Sequence, residues 1–367
     1  MDKIKEKFEI IEDTRKQGYV EHKLSDILTI VMCAVLCGLD QLSEIVSYAK
    51  NKSEFFSEAF FIEKIPSKST FCRVLNMVDG DEVSKIIIEI MKENILNLGE
   101  IVAVDGKCMR STARKENPNS ALQILTAYFT ESSVVLGQES IHEKTNEIPI
   151  FQEMLDHIDI SGKIITADAL HCQKETCKKI IAGDGNYVLG LKENHKNFYD
   201  DIELFIKDDS NRENMEVFTA LNKNNGRIEK RICYKILDID WLPCKNEWSN
   251  LNSVFAVERI IETKHGTSTE MSFYISSLLT TAQNLLRISR EHWKIESMHW
   301  LLDVVFSEDD CRIISENGLK TLNIFRKLAL LIHKKHIASQ TKKQSLKSNM
   351  FDCLLNNEKL LKVILSL

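Results

Sequence analysis

Apolar and polar positions change their period three times along this chain. From residue 1 to about 98 the apolar residues recur at helical intervals. The run from Leu24 to Leu39 is apolar on almost every side, which predicts a buried helix, and Leu42 to Ala49 continues with Ile45, Val46 and Ala49 at helical spacing. Pro66-Ser67-Lys68-Ser69-Thr70 then opens another helix, Phe71 to Val78, with Ser/Thr side chains as N-caps. A short helix pair followed by such a helix fits a DNA-reading helix-turn-helix, and it fits a plain helical bundle as well.

The period shortens at Glu100. Ile101-Val102-Ala103-Val104-Asp105-Gly106 reads as a buried strand arriving at a turn, followed by strands at Leu122 to Phe129 and Ser133 to Ser140. A helix at Phe151 to His157 precedes the strand Ile164 to Asp168, and a helix at Lys174 to Ile181 precedes the strand Tyr187 to Lys192. This alternation predicts a mixed α/β sheet. From 208 to 280 the pattern is β without helices, in Gly226 to Ile236, Val254 to Thr263 and Thr267 to Ile275, with Lys264-His265-Gly266 as a hairpin loop. From 281 to 367 it is helical again. The chain therefore divides into a helical segment 1–98, a strand-helix segment 99–207, a β-rich segment 208–280 and a helical C-terminal segment 281–367.

Composition narrows the class. A chain of 367 residues exceeds what one core usually organises, so two or three domains are expected. Its 43% hydrophobic and 28% charged content excludes disorder, collagen and coiled coil, and only four prolines and thirteen glycines argue against an all-β chain. Ten cysteines without a CxxC pair read as reduced thiols rather than a zinc site. The charged N-terminus lacks a signal peptide, and no apolar run is long enough for a bilayer, so the expectation is a cytoplasmic protein with no membrane partner.

A net charge of -6 does not by itself suggest a polyanion as partner, but it conceals opposed patches. Asn317 to Phe351 holds eight Lys/Arg, Arg326, Lys327, Lys334 and Lys335 among them, and no Asp or Glu. Glu291 to Asp310 holds six acidic residues and one lysine. The basic run reads as a set of phosphate contacts of salt-dependent affinity or as a solvated helix face.

The carboxylates carry the candidate chemistry. Asp105 and Asp168 both end strands of one sheet, where they would be neighbours. Two charges about 4 Å apart at an effective dielectric near 20 repel by roughly 4 kcal/mol, so such a pair calls for protonation, basic partners or hard cations. Alternatively each Asp caps the turn that follows it. A third acidic feature lies in the helical stretch Ser289 to Trp300, where His292, Glu296, His299 and Asp303 fall on one face without an HExxH pattern.

With those residues in view, the chain resembles the ISAs family of insertion-sequence transposases, which includes the H-repeat-associated proteins. The resemblance rests on Val104-Asp105-Gly106-Lys107, Glu143-Lys144-Thr145-Asn146-Glu147-Ile148, Thr166-Ala167-Asp168-Ala169-Leu170-His171 and Tyr187 to His195. It continues through Tyr274 to Leu278, His292-Trp293-Lys294-Ile295-Glu296, and His299-Trp300 through Leu302-Asp303-Val304 to Glu308-Asp309. Gly18 to Leu28 and Ile65-Pro66-Ser67 are similar to the family's associated helical domain. These stretches span nearly the full chain, in order.

What the resemblance implies is an α/β fold with an RNase H-like mixed-sheet core, a β-rich insertion between the second Asp and the Glu, a helical N-terminal domain and a helical C-terminus. The implied DDE triad is Asp105, Asp168 and Glu296, holding two Mg²⁺ ions, with Mn²⁺ as a substitute. The implied reaction cuts double-stranded DNA at terminal inverted repeats and joins the 3′-hydroxyl to target DNA, performed by a homodimer on DNA. The wider superfamily's Tyr, Arg, Glu, Lys signature aligns with Ser289, His292, Glu296 and Asp303, so only the Glu is kept and the other roles do not transfer. Lys107, Arg110, Lys192, Asn194 and, on the helix face, His292 are candidate DNA contacts, or ordinary surface charge. Trp293 and Trp300 read as stacking groups or, more in keeping with helical tryptophans, as core. His171 reads as a neighbour of the metal or as a helix-start hydrogen bond. The Glu143 to Glu147 stretch has no role evident from the sequence. Two other classes share these residues: a non-catalytic DNA-binding remnant or regulator, and a metal-dependent nuclease without strand transfer.

Overall fold

A computed structural model describes the chain apart from residues 1, 17, 19, 113–120, 142–146, 225–226, 312 and 314. The N-terminal part is helical: α1 (Asp2–Phe8), α2 (Leu24–Leu36), α3 (Leu42–Asn51), α4 (Ser53–Phe60), α5 (Lys68–Met77) and α6 (Gly80–Glu93). Helix α2 is buried along nearly its whole length, as its unbroken apolar sequence requires. Helix α5 begins three residues before the expected Phe71, because Ser67 caps it by accepting a hydrogen bond from the Thr70 N–H.

The sheet segment runs β1 (Ile101–Cys108), β2 (Gln123–Phe129), β3 (Val135–Ile141), α7 (Glu147–His157), β4 (Ile164–Ala167), α8 (Lys174–Ala182), β5 (Asn186–Leu191) and α9 (Lys196–Lys207). The β-rich stretch is β6 (Met215–Asn224), β7 (Arg227–Ile236), β8 (Ser253–Thr263) and β9 (Gly266–Ser276). The C-terminal helices are α10 (Ala282–Val304), α11 (Glu316–Ser339), α12 (Leu346–Leu355) and α13 (Asn357–Ile364).

All nine strands join one sheet in the order β3-β2-β1-β4-β5-β9-β8-β7-β6. Strands β1, β2 and β3 are antiparallel, and β1, β4 and β5 are parallel, which is the mixed RNase H-like sheet that the resemblance implies. Strand β9 pairs antiparallel with β5, so the β-rich stretch extends the core sheet rather than leaving it. Strand β6, at the sheet's edge, has no counterpart among the strands read from the sequence.

Helix α10 crosses β1, β4 and β5, while α11 packs against α2, α5 and α6. The first and last helices of the chain therefore share one core, which includes Phe8, Leu28, Ile87, Phe325 and Leu328. The basic run 317–351 thus begins in a buried helix rather than on a solvated face. All ten cysteines are free thiols. Among the described residues no helix is long and apolar enough to cross a membrane.

Candidate active site

Strand register brings the two aspartates together. Val104 on β1 pairs with Ala167 on the parallel β4, so the next residues, Asp105 and Asp168, stand at the same level. Asp168 lies just past the end of β4 and Asp105 still within β1, which runs on to Cys108 through the turn expected at Gly106 because it keeps pairing with β2. Adjacent strands lie about 4.8 Å apart. Asp168 also caps the turn after it, its Oδ1 accepting from the Leu170 N–H at 3.0 Å. Capping and clustering, set as alternatives from the sequence, hold together in this residue.

Helix α10 carries Glu296 over the same place. His292 Nδ1 lies 3.1 Å from Thr166 Oγ1 on β4, and His299 Nδ1 lies 3.3 Å from Asp105 Oδ2 on β1. One helical turn after His299, Asp303 Oδ1 accepts from Lys107 Nζ at 2.5 Å. Three of the four residues on the face read from the sequence thus dock on the sheet, and Glu296 lies between the two histidines, over the ends of β1 and β4. Burial pushes the Glu296 carboxyl above its usual range, the charge of Asp105 pushes the same way, His299 opposes it, and Asp168 adds to the rise. Burial pushes the His292 imidazole down, against the pull of Asp105 and Asp168. Glu296 therefore feels the charge of both aspartates. Among the described residues no three Asp, Glu, His or Cys groups are drawn tightly enough together to form an ion-holding cluster.

The Asp168 turn is supported from beneath. Gly190 on β5 lets the turn approach closely, since a Cβ there would stand 3.2 Å from the Ala169 nitrogen. Asn194 Nδ2 donates to the Ala169 carbonyl at 2.8 Å, so Asn194, a candidate phosphate contact from the sequence, is engaged in holding the turn. His171, which closes the turn, is buried against Phe151 and beside Glu147.

Several candidate DNA contacts are corrected by burial. Lys107 is buried and bound to Asp303, to Glu308 Oε2 at 3.0 Å and, more loosely, to Asp309. Arg326 is 1% exposed, with its Nη1 3.4 Å from Glu308 Oε1, and the Asn323 amide donates to the same oxygen at 2.9 Å. Burial alone would push the Glu308 carboxyl up, but Arg326 and Lys107 outweigh it and hold the group below its ordinary range. Lys327 is buried too and donates to Thr126 Oγ1 and Gln138 Oε1 at 2.8 and 2.9 Å. Lys334 is half-buried and donates to Ser133 Oγ, and Lys335 donates to the Asn94 and Leu367 carbonyls. Arg326 and Lys327 have no surface to offer DNA; with Lys107 and Glu308 they form an ionic joint that fastens α11 and the end of α10 to β1, β2 and β3.

Arg110 and Lys192 fare otherwise. Arg110 is largely exposed, 3.7 Å from Asp309, and Lys192 is exposed with no ion pair among the described residues. Trp293 and Trp300, for which the sequence favoured the core, are 54% and 59% exposed on the outer side of α10. Glu308 was visible in the acidic run 291–310 and in the family resemblance, without a role in either, and the strand period that places Lys107 on the same face as Asp105 was the available sign that Lys107 turns inward to α10.

The chain belongs to the DDE transposase family. Residues 97–332 match the model of the transposase DDE domain, and residues 5–91 match the DDE_Tnp_1-associated model. Among its relatives, "Putative transposase YncI" of Escherichia coli O157:H7 is 33% identical over 88% of this chain and 84% of that protein. "H repeat-associated putative transposase YhhI" of Escherichia coli K12 is 31% identical over 90% of each. A solved piggyBac transposase synaptic complex with hairpin DNA aligns over 98% of this chain and 78% of that one, at 11% identity and a TM-score of 0.45, too loose a likeness to argue from.

Proposed function

We propose that this chain is an insertion-sequence transposase that cuts DNA at the ends of its element and joins the freed 3′-hydroxyl to target DNA. The observation that carries the reading is the convergence of Asp105, Asp168 and Glu296 from β1, β4 and α10. Three carboxylates, with Glu296 held up by the charge of both aspartates, are a donor set for hard divalent cations, which fits Mg²⁺ or Mn²⁺. Bound there, two such ions would supply the positive charge that activates the attacking oxygen and stabilises the leaving one.

The chain's own residues do the rest. Asp105 lies within β1 and Asp168 just past the end of β4, at one level of neighbouring strands, so neither is carried on a long flexible loop. Glu296 approaches on α10, whose orientation is fixed by His292 on β4 and His299 on β1. Arg110 and Lys192 stand exposed near the strand ends to hold the phosphates of the incoming duplex, while the buried Lys107 holds α10 down instead. Preorganised charge of this kind stabilises a phosphodiester transition state without rearrangement at the moment of reaction.

The test is a Mg²⁺-dependent assay on duplexes bearing the element ends, with a supercoiled plasmid as target. The expected result is cleavage at the end and covalent joining of a pre-cut end to the plasmid. Cleavage without joining would make the protein a nuclease, and binding without cleavage would make it a DNA-binding remnant.

A further inference from the structure

Glu147 opens α7 and closes the Glu143 to Glu147 stretch, of which residues 143–146 lie outside the described part of the chain. Its side chain is buried, and its Oε1 lies 3.3 Å from Nε2 of His171. The same oxygen lies over the backbone of Gly106, where an added Cβ would stand only 2.7 Å away. One carboxylate oxygen thus touches the residue that follows Asp105 and the residue that ends the turn begun by Asp168.

Strand alternation separates this contact from the chemistry. Asp105 faces α10, so Gly106 faces the opposite side, toward α7. His171 is 1% exposed, its ring set edge-on against Phe151 of α7 at 4.6 Å, and among the described residues neither ring nitrogen has a hydrogen-bond partner. A buried imidazole without partners is costly, and the Glu147 carboxylate is the polar group beside it. A larger residue at 106 would drive that carboxylate off His171.

We propose that Glu147, acting with His171, is a positioning residue: a strut under the sheet that sets the separation of Asp105 and Asp168 by bracing Gly106 on β1 and the 168–171 turn after β4. The strut rests on the reading of those aspartates as metal-holding groups. It gives the stretch around Glu147 a physical role, and it explains why position 106 is a glycine although β1 continues through it.

The experiment compares Glu147→Gln, Glu147→Ala, Gly106→Ala and the double variant Gly106→Ala/Glu147→Ala with the wild type, and uses Asp168→Asn as control. Three readouts are taken on the full chain: kcat and KM for cleavage of an end-bearing duplex, Mn²⁺ binding without DNA by electron paramagnetic resonance, and thermal unfolding. Supporting groups behind metal ligands typically matter by about 10–100-fold. Glu147→Ala and Gly106→Ala are therefore expected to lower kcat and Mn²⁺ affinity by about that much with KM unchanged. The double variant is expected to lose less than the product of the two single losses, because the added methyl occupies the space that the carboxylate vacates. Glu147→Gln, which keeps the shape, is expected to retain more activity than Glu147→Ala, and it serves as the informative variant if Glu147→Ala fails to fold. A folded Glu147→Ala, or Glu147→Gln in its place, with Mn²⁺ affinity and kcat within about twofold of wild type would overturn the strut while an inactive Asp168→Asn upheld the site. An Asp168→Asn that cuts normally would overturn the site itself, and with it the strut.

Discussion

Lys107 and Glu308 show how a single side chain divides its allegiance. Two positions after Asp105 on the same strand face, Lys107 would reach a DNA phosphate if the face were open, but α10 and the segment after it cover it with Asp303 and Glu308. A buried carboxylate that serves two buried cations cannot be neutralised cheaply. Glu308→Gln leaves Lys107 and Arg326 short of their counter-charge, and breaking such a pair costs about 3–5 kcal/mol. Urea unfolding is expected to show a loss of that order, and adding Lys107→Met is expected to restore part of it; a Glu308→Gln protein as stable as wild type would refute the joint. The strand positions of Asp105 and Asp168 and the helix face of Glu296 were legible from the period of the sequence, whereas their grouping as a triad came only from the family resemblance. The partner of Lys107 was not legible, because the strand period gives the face Lys107 shares with Asp105 but not Asp303, 196 positions away, that meets it there.

At the scale of elements, α10 and α11 are read differently by their patterns. Helix α10 has a polar face that docks on the sheet and an outer face bearing Trp293 and Trp300, so its histidine-carboxylate face was readable and its tryptophans were not. Thr281 caps α10 by accepting from the Asn284 N–H. Thr281→Ala is expected to cost about 1 kcal/mol in denaturant unfolding, with α10 otherwise in place; a neutral effect would place the helix start elsewhere. Helix α11 was misjudged because its lysines drew attention from the apolar residues on all its sides, Leu319, Leu322, Phe325, Leu328 and Leu331 among them, which are the mark of a buried helix. Burial pushes the Lys327 amine on this helix down to about 7. Since the unfolded amine titrates near 10.4, the unfolded chain binds more protons between roughly pH 7 and 10, and stability gained from Lys327 rises with pH across that window. The wild type is expected to gain more denaturant resistance from pH 7 to 9.5 than Lys327→Met does, and equal gains would contradict the burial of a strained cation there. Strands β7, β8 and β9 were legible from two-residue alternation, whereas the edge strand β6 was missed; Val217 and Leu221 on it are exposed, so its apolar residues do not mark one buried face.

Across the whole molecule, the proposed function assigns the DNA contacts to the exposed charge near the strand ends, and most of the basic C-terminal run is turned inward. Arg326 and Lys327 are spent inside the core, and Lys334 and Lys335 on groups of their own chain. Arg110→Ala and Lys192→Ala are each expected to flatten the salt dependence of end-DNA affinity by about one unit in the log-log slope, while Lys335→Ala leaves it unchanged; the reverse pattern would return the DNA path to α11. The continuous sheet and the core shared by the first and last helices hold three distant parts of the chain, around 105, 168 and 296, in one place. If these three carboxylates form the reacting centre, the rate of Mg²⁺-dependent strand cleavage on an end-bearing duplex, the most direct measurement, falls steeply with Glu296→Gln. That variant is expected to fold and bind the duplex but to cut it at least about 10²–10³-fold more slowly than wild type. Cleavage at a near-wild-type rate by folded Glu296→Gln would contradict that reacting centre.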